Sequence, residues 1–258
     1  MRILVLSNND LASLFALNLL LSELAEHTVQ VGLSSKVGGD LKHPQALLDL
    51  TTFENQVMGD DSHAFLKSIK VRFVAIRGSH FYKSFDQLSN AYDIEIQFLN
   101  DINQIDGLNR VRLFNPELIL SIRYGKILKQ PVIDIPSMGV INLHSGLLPA
   151  YQGIMATFWA MLNEEKDIGT CLHFISDRQI DAGEIIEQSI IPLNPNLSYL
   201  ENVLEVYWLG IKNMAKAVNQ LNRGVPLLSD PQQGFPNYYG FPQEPHIKKF
   251  LDKGFRFF

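Results

Sequence analysis

Short continuous apolar runs at residues 3–6, 118–122 and 140–143 read as strands buried on both faces of a parallel sheet. Residues 11–25 instead carry apolar positions at helical spacing, directly after Asn8, Asn9 and Asp10, which offer N-cap chemistry. Residues 28–33, 71–76 and 94–99 read as further strands, and residues 44–57, 61–69, 84–92 and 105–114 as helices. This alternation predicts an α/β fold with a doubly wound, mostly parallel sheet. Beyond residue 143 the pattern changes. Residues 153–162 read as a helix, and residues 167–175 and 184–192 as strands of a β-rich return. The longest periodic segment spans residues 198–222. Ser198 with Glu201 forms a capping-box pattern at its start, and Gly224 closes it. Proline, glycine and aromatic residues crowd residues 226–258, with a short helix expected at 245–251. The simplest organisation is a catalytic domain over residues 1–195. A long helix and C-terminal extension over residues 196–258 then pack on the same core and offer a dimer interface.

Composition narrows the class. The chain has 258 residues, 46% hydrophobic and 19% charged, enough for one sizeable core. Its net charge of −5 and the lack of any long basic run argue against a phosphate-gripping protein, so no nucleic-acid partner is expected. Lys248, Lys249, Lys253 and Arg256 read as a solvated helix face. The lone Cys171 excludes an intrachain disulfide and a cysteine-based metal site, and no metal is expected. Residues 11–24 are interrupted by Asn18, Ser22 and Glu23 and fall short of the roughly 20 apolar residues a membrane span needs. No basic start and small-residue cleavage site mark a signal peptide. A cytoplasmic protein without membrane association is expected.

Chemistry concentrates in two stretches. Residues 139–153 read GVINLHSGLLPAYQG, and residues 173–186 read HFISDRQIDAGEII. Asn142 and His144 are two apart on a strand, so they share a side and converge at the carboxyl edge of the sheet, where open α/β folds bind ligands. Gly146 and Pro149 break the strand, and Gly153 is expected to start the next helix. Asp181 and Gly183 sit in a loop between two strands. A carboxylate near an imidazole raises its pKa and fixes its tautomer. Asn142 can donate to an oxyanion, His144 can take an amine proton, and Asp181 can orient His144 or relay a proton through water. By spacing alone, an Asn–His pair on an apolar strand is more often structural than catalytic, and Asp181 more often a solvated loop carboxylate.

Together these stretches resemble the signature of the folate-dependent formyltransferases, most closely the sugar-nucleotide N-formyltransferases. The family pattern of Asn-x-His-x-Ser-x-Leu-Pro, Arg or Gln before Gly, and a distant Asp-x-Gly meets Asn142, His144, Ser145, Leu148, Pro149, Gln152, Gly153, Asp181 and Gly183. His173 matches a second histidine common before the Asp loop. The resemblance implies a catalytic trio of Asn142, His144 and Asp181, with 10-formyltetrahydrofolate as formyl donor. It places the pterin ring against Arg123, Tyr124, Gly125, Lys126, Ile127 and Leu128, chiefly through the main chain of Lys126 and Leu128. The loop at residues 176–181, with Asp177 and Ile180, would close the other side. Gly146 stands where the family often has a larger residue, which implies a looser turn that leaves the trio untouched.

The acceptor follows from differences within the family. Residues 6–13, LSNNDLAS, lack the Gly-rich phosphate loop of glycinamide ribonucleotide enzymes. The chain ends before the further C-terminal barrel of methionyl-tRNA enzymes and is acidic, so tRNA is not expected. What remains is the amine of a nucleotide-linked amino sugar, such as a dTDP-4-amino-4,6-dideoxyhexose, in surface polysaccharide (O-antigen) biosynthesis. Glycinamide ribonucleotide and hydroxyornithine are the alternatives. The expected acceptor contacts are Ser7, Asn8, Asn9, Phe81, Tyr82, Tyr151 and Gln152, and a homodimer is expected. Tyr238 and Tyr239 either stack a base or pack a dimer interface.

Overall fold

A computed structural model describes residues 1–37, 43–58 and 82–258. The expected helix at 61–69, the expected strand at 71–76 and Phe81 lie outside the described residues. The central sheet has seven strands: β1 (Arg2–Asn8), β2 (Thr28–Ser34), β3 (Glu95–Phe98), β4 (Leu118–Ile122), β5 (Val140–His144), β7 (Asp167–Phe174) and β8 (Ile185–Pro192). Their spatial order is β3-β2-β1-β4-β5-β7-β8. The first five run parallel, while β7 and β8 return antiparallel. The order reverses between β1 and β4, a topological switch point at which open α/β sheets bind ligands beyond their carboxyl edge.

The helices cover both faces. On one face, α1 (Leu11–Glu23), α6 (Ala156–Leu162), α7 (Tyr199–Asn222) and α8 (Glu244–Asp252) share a core that includes Phe15, Leu143, Phe158, Leu204, Tyr207 and Phe250. This core is continuous across residue 195. On the other face, α4 (Ile105–Phe114) and α5 (Gln130–Ile133) pack with Leu4, Leu6, Ile119 and Val140. Helix α1 lies against α7 and is buried on most of its surface from Leu11 to Leu21, as its mostly apolar content requires. Asp10 caps it by accepting the Ser13 N–H. Helices α2 (Gln45–Gln56) and α3 (Phe85–Tyr92) complete the described elements, and α3 and α7 both open with a capping box.

One expectation fails at Gly153. The helix starts at Ala156, and Gln152–Gly153 instead form a short strand, β6, parallel to β9 (Tyr238–Tyr239). Gly153 has φ +97°, outside the helical region and open to glycine at no steric cost. A Cβ on it would lie 2.2 Å from the Tyr239 carbonyl oxygen, so only glycine admits this pairing.

Candidate active site

The site grows from β5. Asn142 and His144 line the same face of a cavity of about 1070 Å³ at the carboxyl edge of the sheet. Asp181 enters from the loop between β7 and β8 with φ 51°, and its carbonyl accepts from the Gln152 and Gln232 side chains at 3.1 and 2.7 Å. Those two bonds hold a backbone conformation that non-glycine residues rarely adopt. The carboxylate then sits between two imidazoles. Oδ2 is 3.4 Å from His144 Nδ1, and Oδ1 is 3.4 Å from His173 Nε2. The Gly153 N–H donates to Oδ2 at 2.9 Å, and Asn142 Nδ2 donates to Oδ1 at 3.4 Å. His173 Nδ1 faces the Phe174 carbonyl at 2.9 Å, which turns Nε2 toward Asn142, 3.0 Å away. Burial alone would raise the Asp181 carboxyl, but the His144 charge, the His173 contact and the Gly153 N–H outweigh it and hold the pKa down at about 2.

His144 Nε2 lies 2.6 Å from the Tyr151 carbonyl oxygen. A carbonyl only accepts, so neutral His144 carries its proton on Nε2, and Nδ1 keeps the lone pair. Nδ1 is therefore the basic atom. Once it takes a proton, the ionised Asp181 beside it stabilises the imidazolium. Asn142, next to both, supplies an amide that can donate to a developing oxyanion. The arrangement suits proton removal from an attacking nucleophile at a carbonyl carbon.

The expectation that Gly146 leaves the trio untouched is overturned. A Cβ there would lie 2.7 Å from His144 Nε2, 2.9 Å from the Tyr151 carbonyl oxygen and 2.5 Å from Ala156 Cβ. Glycine at 146 is what lets the Tyr151 carbonyl close on His144. Gly183 is likewise excluded from larger residues, with a Cβ 1.8 Å from the Phe174 carbonyl oxygen.

The residues expected to meet the pterin, Arg123, Tyr124, Gly125, Lys126, Ile127, Leu128, Asp177 and Ile180, all line the cavity. Three are tied in ways that limit what they offer. The Arg123 side chain turns back to Asp10, with Nε 3.1 and 3.0 Å from its two carboxylate oxygens. The Tyr124 hydroxyl donates to the Leu99 carbonyl. The Gly125 N–H donates to Ser34 Oγ, and a Cβ on Gly125 would meet the Lys36 carbonyl oxygen at 2.0 Å.

The expected acceptor contacts divide. Asn8 and Asn9 line the cavity, though Asn8 donates to Asp10 and accepts from Ser34. Ser7 and Tyr82 are buried and are not among the described lining residues; the Ser7 hydroxyl donates to the Ile122 carbonyl and the Tyr82 hydroxyl to the Leu11 carbonyl. Ser7 lies within β1 and Tyr82 packs against α1 beside Phe15, so neither side chain reaches the cavity where it was expected. Tyr151 acts through its carbonyl, while its hydroxyl donates to Glu165 and its ring stacks on Tyr239. Gln152 is committed to the Asp181 loop. Tyr238 lines the cavity, while Tyr239 packs between Tyr151 and Trp159.

Several lining residues carried no expectation. Glu54, Tyr199 and Tyr207 join Asp10 and Arg123 to form a buried polar floor. Tyr199 and Tyr207 hydrogen-bond the Arg123 side chain, and Tyr207 also bonds the Ser145 side chain. Glu54 accepts from the Leu11 and Ala12 N–H groups at the start of α1. Burial, then the Asp10 charge, push its carboxyl from 4.5 to about 8 against the opposing pull of Arg123 and those N–H groups. Glu54 had a visible signal: Leu47, Leu50 and Glu54 fall on one face of α2, so an acid stands where the period calls for an apolar side chain.

Comparison with known proteins gives this geometry its context. Residues 100–204 match the family described as formyl transferase. The chain is 33% identical over 144 residues to the methionyl-tRNA formyltransferase of Thermodesulfovibrio yellowstonii, covering 55% of this chain and 44% of that protein. It thus spans less than half the length of that curated relative. Among solved structures, a sugar N-formyltransferase from a Shewanella species superposes with TM-score 0.58 at 17% identity, covering 93% of this chain and 76% of the other. An N-formyltransferase from Helicobacter canadensis, in complex with folinic acid and dTDP-3-aminofucose, superposes with TM-score 0.58 at 17% identity, covering 93% and 71%. These two likenesses establish the fold. The stretch that matches this family, residues 100–204, contains β5, Asn142, His144 and Asp181.

Proposed function

We propose that this protein transfers a formyl group from 10-formyltetrahydrofolate to the amine of a nucleotide-linked amino sugar. The observation that carries the chemistry is the Asn142–His144–Asp181 cluster, with Nδ1 of His144 left basic by the Tyr151 carbonyl and Asp181 ionised beside it. In this reading the donor supplies the formyl carbonyl. His144 takes the proton from the attacking amine, Asn142 donates to the oxyanion, and Asp181 holds the imidazolium.

The cavity suits the donor. Ile127, Leu128, Ile175 and Ile180 present apolar surface to it, and the main chain of residues 125–128 runs along one wall. A flat heterocycle needs such walls with a few fixed polar atoms. Asp177 and Ile180 stand on the facing loop. For the acceptor, the support is the likeness to sugar N-formyltransferases over most of the chain and the aromatic Tyr238 and Phe241 at the same cavity. The reading extends to a cytoplasmic homodimer serving surface polysaccharide synthesis.

One observation favours a second acceptor: the curated relative with 33% identity is a methionyl-tRNA formyltransferase. The test offers the purified protein 10-formyltetrahydrofolate with dTDP- and UDP-linked amino sugars or with methionyl-tRNA, and follows the formamide product by mass spectrometry. Formylated sugar supports the proposal. Formylation of methionyl-tRNA alone replaces the acceptor and keeps the chemistry, and no formamide from any amine removes both.

A further inference from the structure

The cavity has two unlike sides. One wall comes from two short segments, residues 125–128 and the 176–181 loop, and mixes apolar Ile127, Leu128 and Ile180 with charged Lys126, Asp177 and Arg178. The floor is instead assembled from distant elements: Asp10 before α1, Glu54 on α2, Arg123 after β4, and Tyr199 and Tyr207 on α7. Asp10 and Glu54 are 6% and 8% exposed, so these are built-in polar groups, not surface charges. Tyr207 ties the floor to the reacting centre through the side chain of Ser145, the residue after His144.

Charge decides what this floor can take. Asp10 contacts Arg123 Nε with both carboxylate oxygens and neutralises it locally. Among the described residues of this floor, Arg123 is the cation and Asp10 compensates it, whereas phosphate sites rely on a free Arg, a free Lys or backbone N–H groups. Glu54, between the Asp10 charge and the Arg123 charge and near Tyr199, remains largely protonated near neutral pH. The floor thus offers the guanidinium and phenol hydroxyls as donors and carboxyl and phenol oxygens as acceptors, with little net charge. Each of these groups already has a protein partner, and the donor and acceptor capacity left over on the guanidinium, the carboxyl and the phenols suits a neutral, hydroxyl-bearing ligand better than an apolar one.

We propose that Glu54, Arg123, Tyr199 and Tyr207 form the acceptor subsite, reading the hydroxyl groups of the sugar ring that carries the amine and setting the choice of acceptor. This rests on the amino-sugar reading above and adds the place and residues of recognition. The diphosphate and base of the nucleotide lie away from this floor, toward the mouth where Tyr238 and Phe241 stand.

Steady-state kinetics test it at pH 7 with 10-formyltetrahydrofolate and a panel of nucleotide-linked amino sugars, including pairs that differ by one ring hydroxyl. Tyr199→Phe, Tyr207→Phe and Glu54→Gln are compared with the unaltered protein. The expected result is an acceptor KM raised roughly tenfold or more in each variant, with the donor KM changed by less than about twofold. Discrimination between the paired acceptors should shrink in at least one variant. The donor KM doubles as a folding control. If one Tyr→Phe variant does not fold, the other and Glu54→Gln carry the comparison. Unchanged acceptor KM and selectivity, with the unaltered protein turning over amino sugars, overturn the subsite and leave the proposed function standing. No turnover of any amino sugar by the unaltered protein removes both.

Discussion

At the scale of single residues, the proposed chemistry turns on two contacts to His144, from Tyr151 and Asp181. The Tyr151 carbonyl fixes the proton on Nε2, and Asp181 waits beside Nδ1. Replacing His144 by Ala is expected to lower kcat by roughly 10²–10⁴-fold, the usual range for losing a general base, with little change in Tm. Full turnover in His144→Ala would exclude it as the base. Gly146→Ala is the sharper probe, because it touches no substrate. Its Cβ would push on His144 Nε2, the Tyr151 carbonyl and Ala156. Overpacking of this sort costs about 1–3 kcal/mol, so Tm should fall and kcat should fall further than the stability loss explains. A Gly146→Ala protein with unaltered kcat and Tm would show that the loop yields freely. Strand spacing made the Asn142–His144 pair legible in the sequence, and the resemblance of the two motif stretches to the formyltransferase signature added Asp181. The importance of Gly146 was not legible, because nothing in a turn sequence tells how closely a later carbonyl returns to the strand.

At the scale of elements, legibility followed burial. Strands β1, β4 and β5 have apolar runs because both sheet faces are covered, and their positions could be read directly. Helix α7 was equally plain, and its Ser198–Glu201 capping box is present. Removing that cap with Ser198→Ala should cost about 1 kcal/mol, measured by chemical denaturation; no change would mean that packing on α1 and β7 sets the helix start alone. The pairing of β6 with β9 left no periodic trace, since two-residue strands are too short for alternation to register. It joins the C-terminal segment to the trio: Gln232, from the same segment, donates to the carbonyls of Asp181 and Gly183 at 2.7 and 2.9 Å. Gln232→Ala should therefore release the Asp181 backbone from its left-handed conformation and lower kcat with only a small change in donor KM. An unchanged kcat would mean that the Gln152 bond suffices to hold the loop. Glu54 was overlooked for the opposite reason. Its acid side chain breaks the apolar face of α2, and such a break has meaning only once the facing residues are known.

At the scale of the whole molecule, those buried charges make stability depend on pH in a direction that can be worked out. Asp181 has a folded pKa of about 2, below its ordinary 3.8. Its stabilising effect is complete above pH 4 and is lost only as pH falls through 2. Asp10 is also lowered and acts in the same acidic window; burial opposes the shift, and Arg123, Asn8 and Ser13 outweigh it. Glu54 runs the other way. Its folded pKa of about 8 lies above the ordinary 4.5, so its contribution is complete below pH 4.5 and is lost as pH rises through 8. His27, which burial lowers from 6.5, favours folding as pH rises, but it is largely solvated and its effect is screened. Glu54 therefore dominates between pH 5 and 9, and Tm should decline steadily across that interval. Glu54→Gln keeps an acceptor for the Leu11 and Ala12 N–H groups and removes the titration, so its Tm should be nearly flat over the same range. Thermal unfolding of both proteins at matched ionic strength makes the comparison. Parallel curves would mean that Glu54 is ionised in the folded protein throughout, and the polar floor would then carry a net negative charge near neutral pH.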